Sequence, residues 1–170
     1  ESNMALSRDY FFDLNEEKGS GPLLNIFGGK LTTHRKLAEK ALQKISNYLD
    51  IGNDWTEKAK LPGGDFNLSE RGELIDKLSS SYPFLEKETV NRLFNSYGLD
   101  SWSILGKAKS ISDLGECFGS DLFSSEVKFL VKYEYARSAD DVLWRRTKVG
   151  LKVAKTASKK LNLYIQQLLS

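Results

Sequence analysis

Most of the chain after Thr33 carries apolar residues at intervals of three or four positions. The pattern is clear in residues 37–49, 90–97 and 153–168, where charged residues fill the positions between. This spacing gathers apolar side chains on one face of an α-helix, whereas a strand would alternate them. Glycine and proline separate the stripes, because neither continues a helix readily. We therefore predict a mainly α fold, a bundle of six to seven helices.

Local signals predict where some of these helices begin and end. Ser69, and either Ser124 or Ser125, are candidate N-caps, because a serine oxygen accepts hydrogen bonds from the first free N–H groups of a helix. Gly98 follows an apolar stripe and is predicted just after a helix end, where glycine tolerates unusual backbone angles. Inside the stripes, Trp144 is predicted to anchor the core.

The first 30 residues differ from the rest. Residues 10–14 and 23–27 are short runs of strand-forming residues, and residues 15–22 between them are polar and turn-forming. This arrangement predicts an antiparallel β-hairpin. Because a lone hairpin is marginal in water, we expect the two strands to belong to a larger sheet that is missing here. The exposed strand edges also predict pairing with another copy of the chain.

Composition excludes several classes of function. The net charge is +2, too small to argue for binding to nucleic acid or to an anionic membrane. The one cysteine, Cys117, excludes an internal disulfide framework and is predicted to be a buried or half-buried small side chain. With His34 as the one histidine, no His-rich metal site is expected. No stretch approaches the roughly 20 apolar residues of a membrane span, so we expect a soluble protein.

The most informative segment is residues 27–35, in which a predicted strand leads through Gly28-Gly29-Lys30 into a helix. Two glycines allow the backbone to approach a ligand closely, because no Cβ intervenes. A helix start presents free N–H groups and partial positive charge, which suit an anionic oxygen, and Lys30 adds a full charge.

An alternative interpretation of this segment is a tight turn in which Thr32 or Thr33 caps the helix and Lys30 is solvated. The spacing of the glycines matches neither the phosphate loop of nucleotide hydrolases nor the three-glycine pattern of dinucleotide-binding folds. The residues alone leave both interpretations open.

Residues 24–39 read Leu-Asn-Ile-Phe-Gly-Gly-Lys-Leu-Thr-Thr-His-Arg-Lys-Leu-Ala-Glu. This stretch closely resembles a segment of the FAD-dependent (aerobic, bacterial-type) glycerol-3-phosphate dehydrogenases, which usually have tyrosine at the position of His34. The resemblance continues in order over nearly the whole chain, in residues 7–10, 61–64, 82–85, 97–98, 111–116 and 139–148.

The resemblance implies that this chain is the C-terminal portion of such an enzyme. Residues 1–32 would be the tail of the FAD- and substrate-binding domain, and residues 33–170 a C-terminal helical domain. The glycine motif that holds the FAD pyrophosphate would belong to the N-terminal FAD/substrate domain of the same protein, the implied partner. FAD is therefore not expected bound to this chain alone. The full enzyme would be cytoplasmic and peripheral to the inner membrane.

In the family that this chain resembles, glycerol 3-phosphate gives a hydride to flavin, dihydroxyacetone phosphate forms, and electrons pass to quinone. The resemblance implies that Lys30 and Arg8 bind the substrate. It also implies that N–H groups around Leu31, Thr32 and Thr33 face the N1/C2 carbonyl edge of the flavin. The implied cofactor-binding set is Gly28, Gly29, Lys30, Leu31, Thr32 and Thr33, with no metal. The isolated chain is expected to be inactive.

Other charged groups have structural interpretations. His34 is not expected to be catalytic, because nothing nearby would orient it as a base. Asp141 and Arg145 stand four apart, as in an intrahelical ion pair. An alternative is that Arg145, Arg146 and Lys148 contact phosphate or a nucleic-acid backbone, but the neighbouring aspartates argue against nucleic acid. The competing class of function is a free-standing helical protein-interaction module.

Overall fold

The computed structural model describes residues 9–17, 19–154 and 156–170. The chain divides into two compact units, Glu1–Ala59 and Lys60–Ser170. This boundary lies after the first long helix, whereas the domain division predicted from the resemblance follows Thr32. That division concerns the domains of a longer enzyme and stays a prediction.

The first unit contains the predicted hairpin, which the structure confirms. Strand β1 (Tyr10–Asn15) pairs antiparallel with β2 (Leu23–Gly28), with Tyr10 opposite Gly28 and Asn15 opposite Leu23. Side chains alternate along β1 between half-buried and exposed, as expected for a strand with one covered face. Within the described residues the sheet has only these two strands, so each strand has one open edge.

A single turn of 3₁₀-helix, Leu31–Thr33, leads from β2 into helix α1 (His34–Lys44). The Lys40 ammonium lies 5.3 Å from the centre of the Tyr10 ring, so α1 covers one face of β1. The apolar pattern extends to residue 49, but the helix ends at Lys44 and the chain continues in turns. None of the residues of α1 is fully buried.

The second unit is helical. It contains α2 (Arg71–Ser81), α3 (Lys87–Tyr97), α4 (Asp100–Leu105), α5 (Ser124–Tyr133), the π-helical segment Asp141–Arg146 and α6 (Ala157–Leu169), besides short 3₁₀ turns. With α1, the part of the chain that the structure describes has seven helices of six or more residues. The predicted helical fold of six to seven helices is confirmed.

The hydrophobic core lies entirely in the second unit. Many of its buried members come from the apolar stripes of four helices and the π-helical segment, and burial of each such side chain is worth roughly 1.5–3 kcal/mol. Among them are Leu78, Val90, Leu93, Phe94, Val127, Leu130, Val142, Leu161 and Ile165.

The helix ends agree with the sequence in one case and correct it in two. Gly98 directly follows α3 with φ of 55°, as predicted. Ser69 is not an N-cap, because Leu68–Glu70 form a 3₁₀ turn before α2 and the Glu70 carboxylate accepts the N–H of Asn67 at 2.8 Å. Ser124 begins α5 without capping it, and its hydroxyl instead bonds the Glu116 N–H and the Leu114 carbonyl.

Two of the short segments that carry the resemblance, residues 61–64 and 97–98, lie in direct contact. The carbonyl of Gly63 accepts the N–H of Leu99 at 2.9 Å, which ties the connector before α2 to the end of α3. Both Gly63 and Gly98 have positive φ, and a Cβ on Gly63 would lie 1.9 Å from the Tyr97 carbonyl oxygen. Only glycine therefore fits at Gly63 without displacing backbone.

A buried ionic network links α3 to α5. Arg92 donates two hydrogen bonds to the Glu126 carboxylate, at 2.7 and 2.8 Å, and a third to Asp121 at 2.6 Å. The Tyr97 hydroxyl donates to Glu126 at 2.6 Å, and Glu126 is only 2 % exposed. Burial raises the pKa of Tyr97, and the negative charge of Glu126 raises it further. Tyr97 therefore stays a neutral hydrogen-bond donor.

Among the described residues, no helix is both long and apolar enough to cross a membrane.

We predict that Gly63→Ala destabilises the protein by about 2 kcal/mol or more, because the new Cβ meets backbone and φ is positive. Urea unfolding followed by circular dichroism measures the change. Gly72→Ala is the matched control, since Gly72 lies in α2 with nothing within 4 Å of the added Cβ. That variant should be neutral or more stable by up to about 1 kcal/mol. Equal effects of the two substitutions would contradict the close approach of Gly63 to the Tyr97 carbonyl.

We predict that Arg92→Met costs about 3–5 kcal/mol of unfolding free energy, because it leaves the Glu126 carboxylate buried without its cation. The double variant Arg92→Met/Glu126→Gln should recover much of this loss, since the buried charge is then gone. Urea unfolding of the two single variants and the double variant gives the coupling energy. Strictly additive losses would show that the two groups do not interact.

Candidate functional site

The candidate site is the turn of residues 28–33, between β2 and α1. Gly28 and Gly29 have φ of 79° and 100°, the left-handed region that favours glycine. A Cβ on Gly29 would lie 2.8 Å from a methyl group of Leu37, so α1 approaches this backbone closely. The two glycines therefore let the chain pass directly from strand to helix.

Thr33 closes the turn onto Lys30. The Lys30 carbonyl accepts the Thr33 N–H at 2.9 Å and the Thr33 hydroxyl at 3.1 Å, and the Lys30 N–H points to the same hydroxyl at 3.2 Å. Lys30 is the N-cap residue of the 3₁₀ turn, and Thr33 is the N-cap residue of α1, as one of the two predicted threonines, although its side chain caps no N–H of α1. The backbone of the turn is held by local bonds.

Two backbone donors of the turn stay open. Within the described part of the chain, the N–H groups of Leu31 and Thr32 have no acceptor, whereas the Thr33 N–H is engaged by Lys30. The Leu31 side chain is 87 % exposed, and Lys30 and Thr32 are exposed as well. Two of the three predicted N–H groups are therefore available to a ligand.

The turn is positively charged. Residues 28–36 include no acidic side chain, and in the described structure Lys30 takes part in no ion pair. The start of α1 adds partial positive charge. The arrangement suits an anionic oxygen or a carbonyl that gains negative charge. Residues 28–36 include no paired acid and base for proton transfer.

The structure brings six of the predicted site residues together on this one turn, at positions 28–33. The seventh, Arg8, lies outside the described residues. Sequence reasoning missed one contact, in which His34 Nδ1 lies 2.6 Å from the Leu31 carbonyl oxygen. The signal for it is the three-residue spacing at a helix start, where side chains reach back to free carbonyls.

An apolar surface lies on the open face of the hairpin. Phe11 and Phe27 face each other across the strands with ring centres 6.5 Å apart, and they are 61 % and 57 % exposed. Exposed apolar patches of this kind mark interaction surfaces. The patch is on the hairpin whose second strand leads into the candidate turn.

The charged motif of residues 139–148 is occupied by internal contacts. The predicted ion pair between Arg145 and Asp141 is present at 2.8 Å. The Asp141 carboxylate also accepts the N–H groups of Arg137 and Ser138, which hold the pKa of Asp141 below its usual value. Arg146 donates to the Glu134 carbonyl at 3.0 Å. These contacts support the structural interpretation of the motif.

Two predicted burials are wrong. Trp144 is 45 % exposed, because the π-helical segment has more residues per turn than an α-helix and rotates Trp144 away from the buried Val142 and Leu143. Cys117 is exposed, because it bridges to Phe123 in an extended segment and the neighbouring Phe118 takes the inward position. The described residues include no group of three potential metal ligands.

Comparisons with known proteins show which family the chain belongs to. Residues 55–168 match the model of a family described as the C-terminal domain of alpha-glycerophosphate oxidase. The chain is 46% identical over 152 residues to the aerobic glycerol-3-phosphate dehydrogenase of Escherichia coli, covering 89% of the chain and 30% of that protein. It is 40% identical over 163 residues to the glycerol-3-phosphate dehydrogenase of Pseudomonas aeruginosa, covering 95% of the chain and 32% of that protein.

A third relative is the D-erythritol 1-phosphate dehydrogenase of Brucella abortus, 39% identical over 145 residues, covering 85% of the chain and 29% of that protein. The chain thus spans about a third of the length of the curated relatives it matches. The matched family segment covers nearly all of the second unit. The chain therefore belongs to the family of the C-terminal domain of alpha-glycerophosphate oxidase.

Proposed function

We propose that this chain is the C-terminal part of an oxidoreductase that transfers a hydride from glycerol 3-phosphate to FAD and forms dihydroxyacetone phosphate, with electrons then passed to quinone. The observation that carries the proposal is the turn of residues 28–33, which offers two open N–H groups beside Lys30. The likeness to glycerol-3-phosphate dehydrogenases supports the choice of reaction.

The turn fits an isoalloxazine edge. When bound, FAD would accept the hydride from C2 of the substrate. The Leu31 and Thr32 N–H groups would donate to the N1/C2 carbonyl edge, where reduction builds negative charge. Together with the start of α1, they would favour the reduced form by on the order of 1 kcal/mol, and more if water is excluded. The absence of carboxylates in residues 28–36 supports this role.

In this proposal Lys30 binds the substrate. Its ammonium is exposed and forms no ion pair within the described residues, so it is free to meet the phosphate or a substrate hydroxyl. Arg8 is proposed as the second substrate-binding residue on the resemblance alone, through the two-pronged hydrogen bonding of a guanidinium to phosphate. These two residues hold and orient the substrate and do not take up a proton.

The partner of the first unit is proposed to be the N-terminal FAD/substrate domain of the same protein. Phe11, Phe27 and Leu31 are exposed, and no described residue of the first unit belongs to the hydrophobic core. A covering domain would bury this apolar face and extend the two-stranded sheet. Without it, the open strand edges favour pairing between copies of the chain.

We predict that the isolated chain is colourless after purification and reduces no dye with glycerol 3-phosphate, because two-thirds of the flavin enzyme is missing. A chimaera in which this chain replaces the matching segment of the Escherichia coli relative should be yellow and active. The unaltered Escherichia coli protein is the positive control. Absorbance at flavin wavelengths and dye reduction measure both properties.

A yellow, active isolated chain would overturn the proposal that the chain is a fragment. A soluble, folded chimaera without flavin would overturn the flavin site and favour the helical interaction module. Assays with D-erythritol 1-phosphate beside glycerol 3-phosphate determine the substrate, since one relative is named for the former.

We predict that Lys30→Ala in the chimaera raises the KM for glycerol 3-phosphate by about 10- to 100-fold, because a hydrogen bond to a charged group is worth about 1.5–3 kcal/mol. Flavin content should be unchanged, since the backbone N–H groups remain. Lys36→Ala is the matched control, an exposed lysine on the same helix start. The role of Lys30 is wrong if the two variants have the same KM.

A further inference from the structure

We infer that His34 is a positioning residue that aims the Thr32 N–H at the flavin edge. The inference rests on the proposed function, because it concerns the same turn. It assigns His34 a role that is neither acid–base nor substrate-binding.

Two donors of His34 converge on one acceptor. The Leu31 carbonyl oxygen accepts the backbone N–H of His34 and lies 2.6 Å from Nδ1 of its ring. A carbonyl oxygen has no hydrogen to give, so Nδ1 carries the proton in this contact. In the neutral ring the lone pair is then on Nε2.

This contact fixes the orientation of the next N–H group. The peptide unit between Leu31 and Thr32 is planar and trans, so the Leu31 carbonyl and the Thr32 N–H point in opposite directions. When His34 holds the carbonyl, the Thr32 N–H is aimed away from the helix, towards the open side of the turn. The same logic applies one residue earlier, where Thr33 holds the Lys30 carbonyl and so aims the Leu31 N–H.

Each open N–H group therefore belongs to a peptide unit whose carbonyl is bonded by a side chain three residues after that carbonyl. Thr33 sets the Leu31 N–H, and His34 sets the Thr32 N–H. Helix α1 itself has separate support, since Arg35 bonds Glu39 at 2.7 Å. Loss of the His34 contact should loosen the Thr32 peptide and leave the helix folded.

The hydrogen bond can be tested on the isolated chain. His34 is the one histidine in the sequence, so its ring signals need no assignment. In the neutral ring, ¹⁵N NMR should show the proton on Nδ1. A proton on Nε2 would overturn the inference.

The positioning role is tested in the chimaera with two variants. His34→Phe keeps a ring and removes the donor, whereas His34→Asn keeps a donor that can reach back along the helix, as Asn91 does to the Lys87 carbonyl at 2.9 Å. We predict that His34→Phe lowers kcat by about 3- to 10-fold, the equivalent of one hydrogen bond, and makes the flavin harder to reduce. The KM for glycerol 3-phosphate should change less than about twofold. His34→Asn should restore both kcat and the flavin midpoint potential.

The outcomes separate the two proposals. If the folded wild-type chimaera holds no flavin, the proposed function fails and this inference falls with it. If the chimaera is active but His34→Phe and His34→Asn have the same kcat and flavin potential, only the inference fails. Equal thermal unfolding of the two variants, with different flavin potentials, supports positioning over a purely structural role. Lys36→Gln, on the same helix start, should match the wild type.

Discussion

The helical unit depends on the buried pair of Arg92 and Glu126. The pair joins α3 to α5 through two hydrogen bonds, and Arg92 also holds Asp121 in the loop before α5. Because Glu126 is almost fully buried, neither helix can shift along the other without leaving a charge unsatisfied. Tyr97 extends this constraint, since its hydroxyl bonds Glu126 and its carbonyl packs against Gly63. The contacts around Glu126 thus hold α3, α5, the loop that contains Asp121 and the connector that contains Gly63 in place relative to one another.

Among the described residues of the first unit there is no comparable buried ionic contact. Its helix and hairpin cover each other on one face only, and the opposite face of the hairpin exposes two stacked phenylalanines. The candidate site lies on this incompletely covered unit. The backbone of the turn is held by its own local hydrogen bonds, while the Leu31 and Thr32 N–H groups and Lys30 stay open. This placement is consistent with one side of a ligand-binding site. A site with one such side needs a second surface to enclose a ligand and exclude water.

The charged segment of residues 139–148 is explained by contacts within the chain. Asp141 takes up the free N–H groups of Arg137 and Ser138 and pairs with Arg145. The Thr147 hydroxyl donates to the Val142 carbonyl at 2.7 Å, which supports the wider helical turn. These residues stabilise an unusual backbone, and that requirement is enough to explain their charges.

Local patterns in the sequence determined the secondary structure. The three- and four-residue spacing predicted the helices, the two apolar runs predicted β1 and β2, and Gly98 was recognised because a helix end favours glycine for local steric reasons. The residues of the Gly-Gly-Lys segment left a ligand-binding turn and a plain tight turn both open, and the family resemblance selected the segment as the candidate site.

Features that depend on distant neighbours were decided by tertiary structure. Spacing could not show that Cys117 and Trp144 are exposed, because burial depends on which side the rest of the core occupies. The pairing of Arg92 with Glu126, 34 residues later, has no local signal. Local sequence therefore determined which side chains form the helices and the turn. Tertiary packing decided which charges meet, which faces are covered and which N–H groups stay open, because these depend on distances that no local spacing contains.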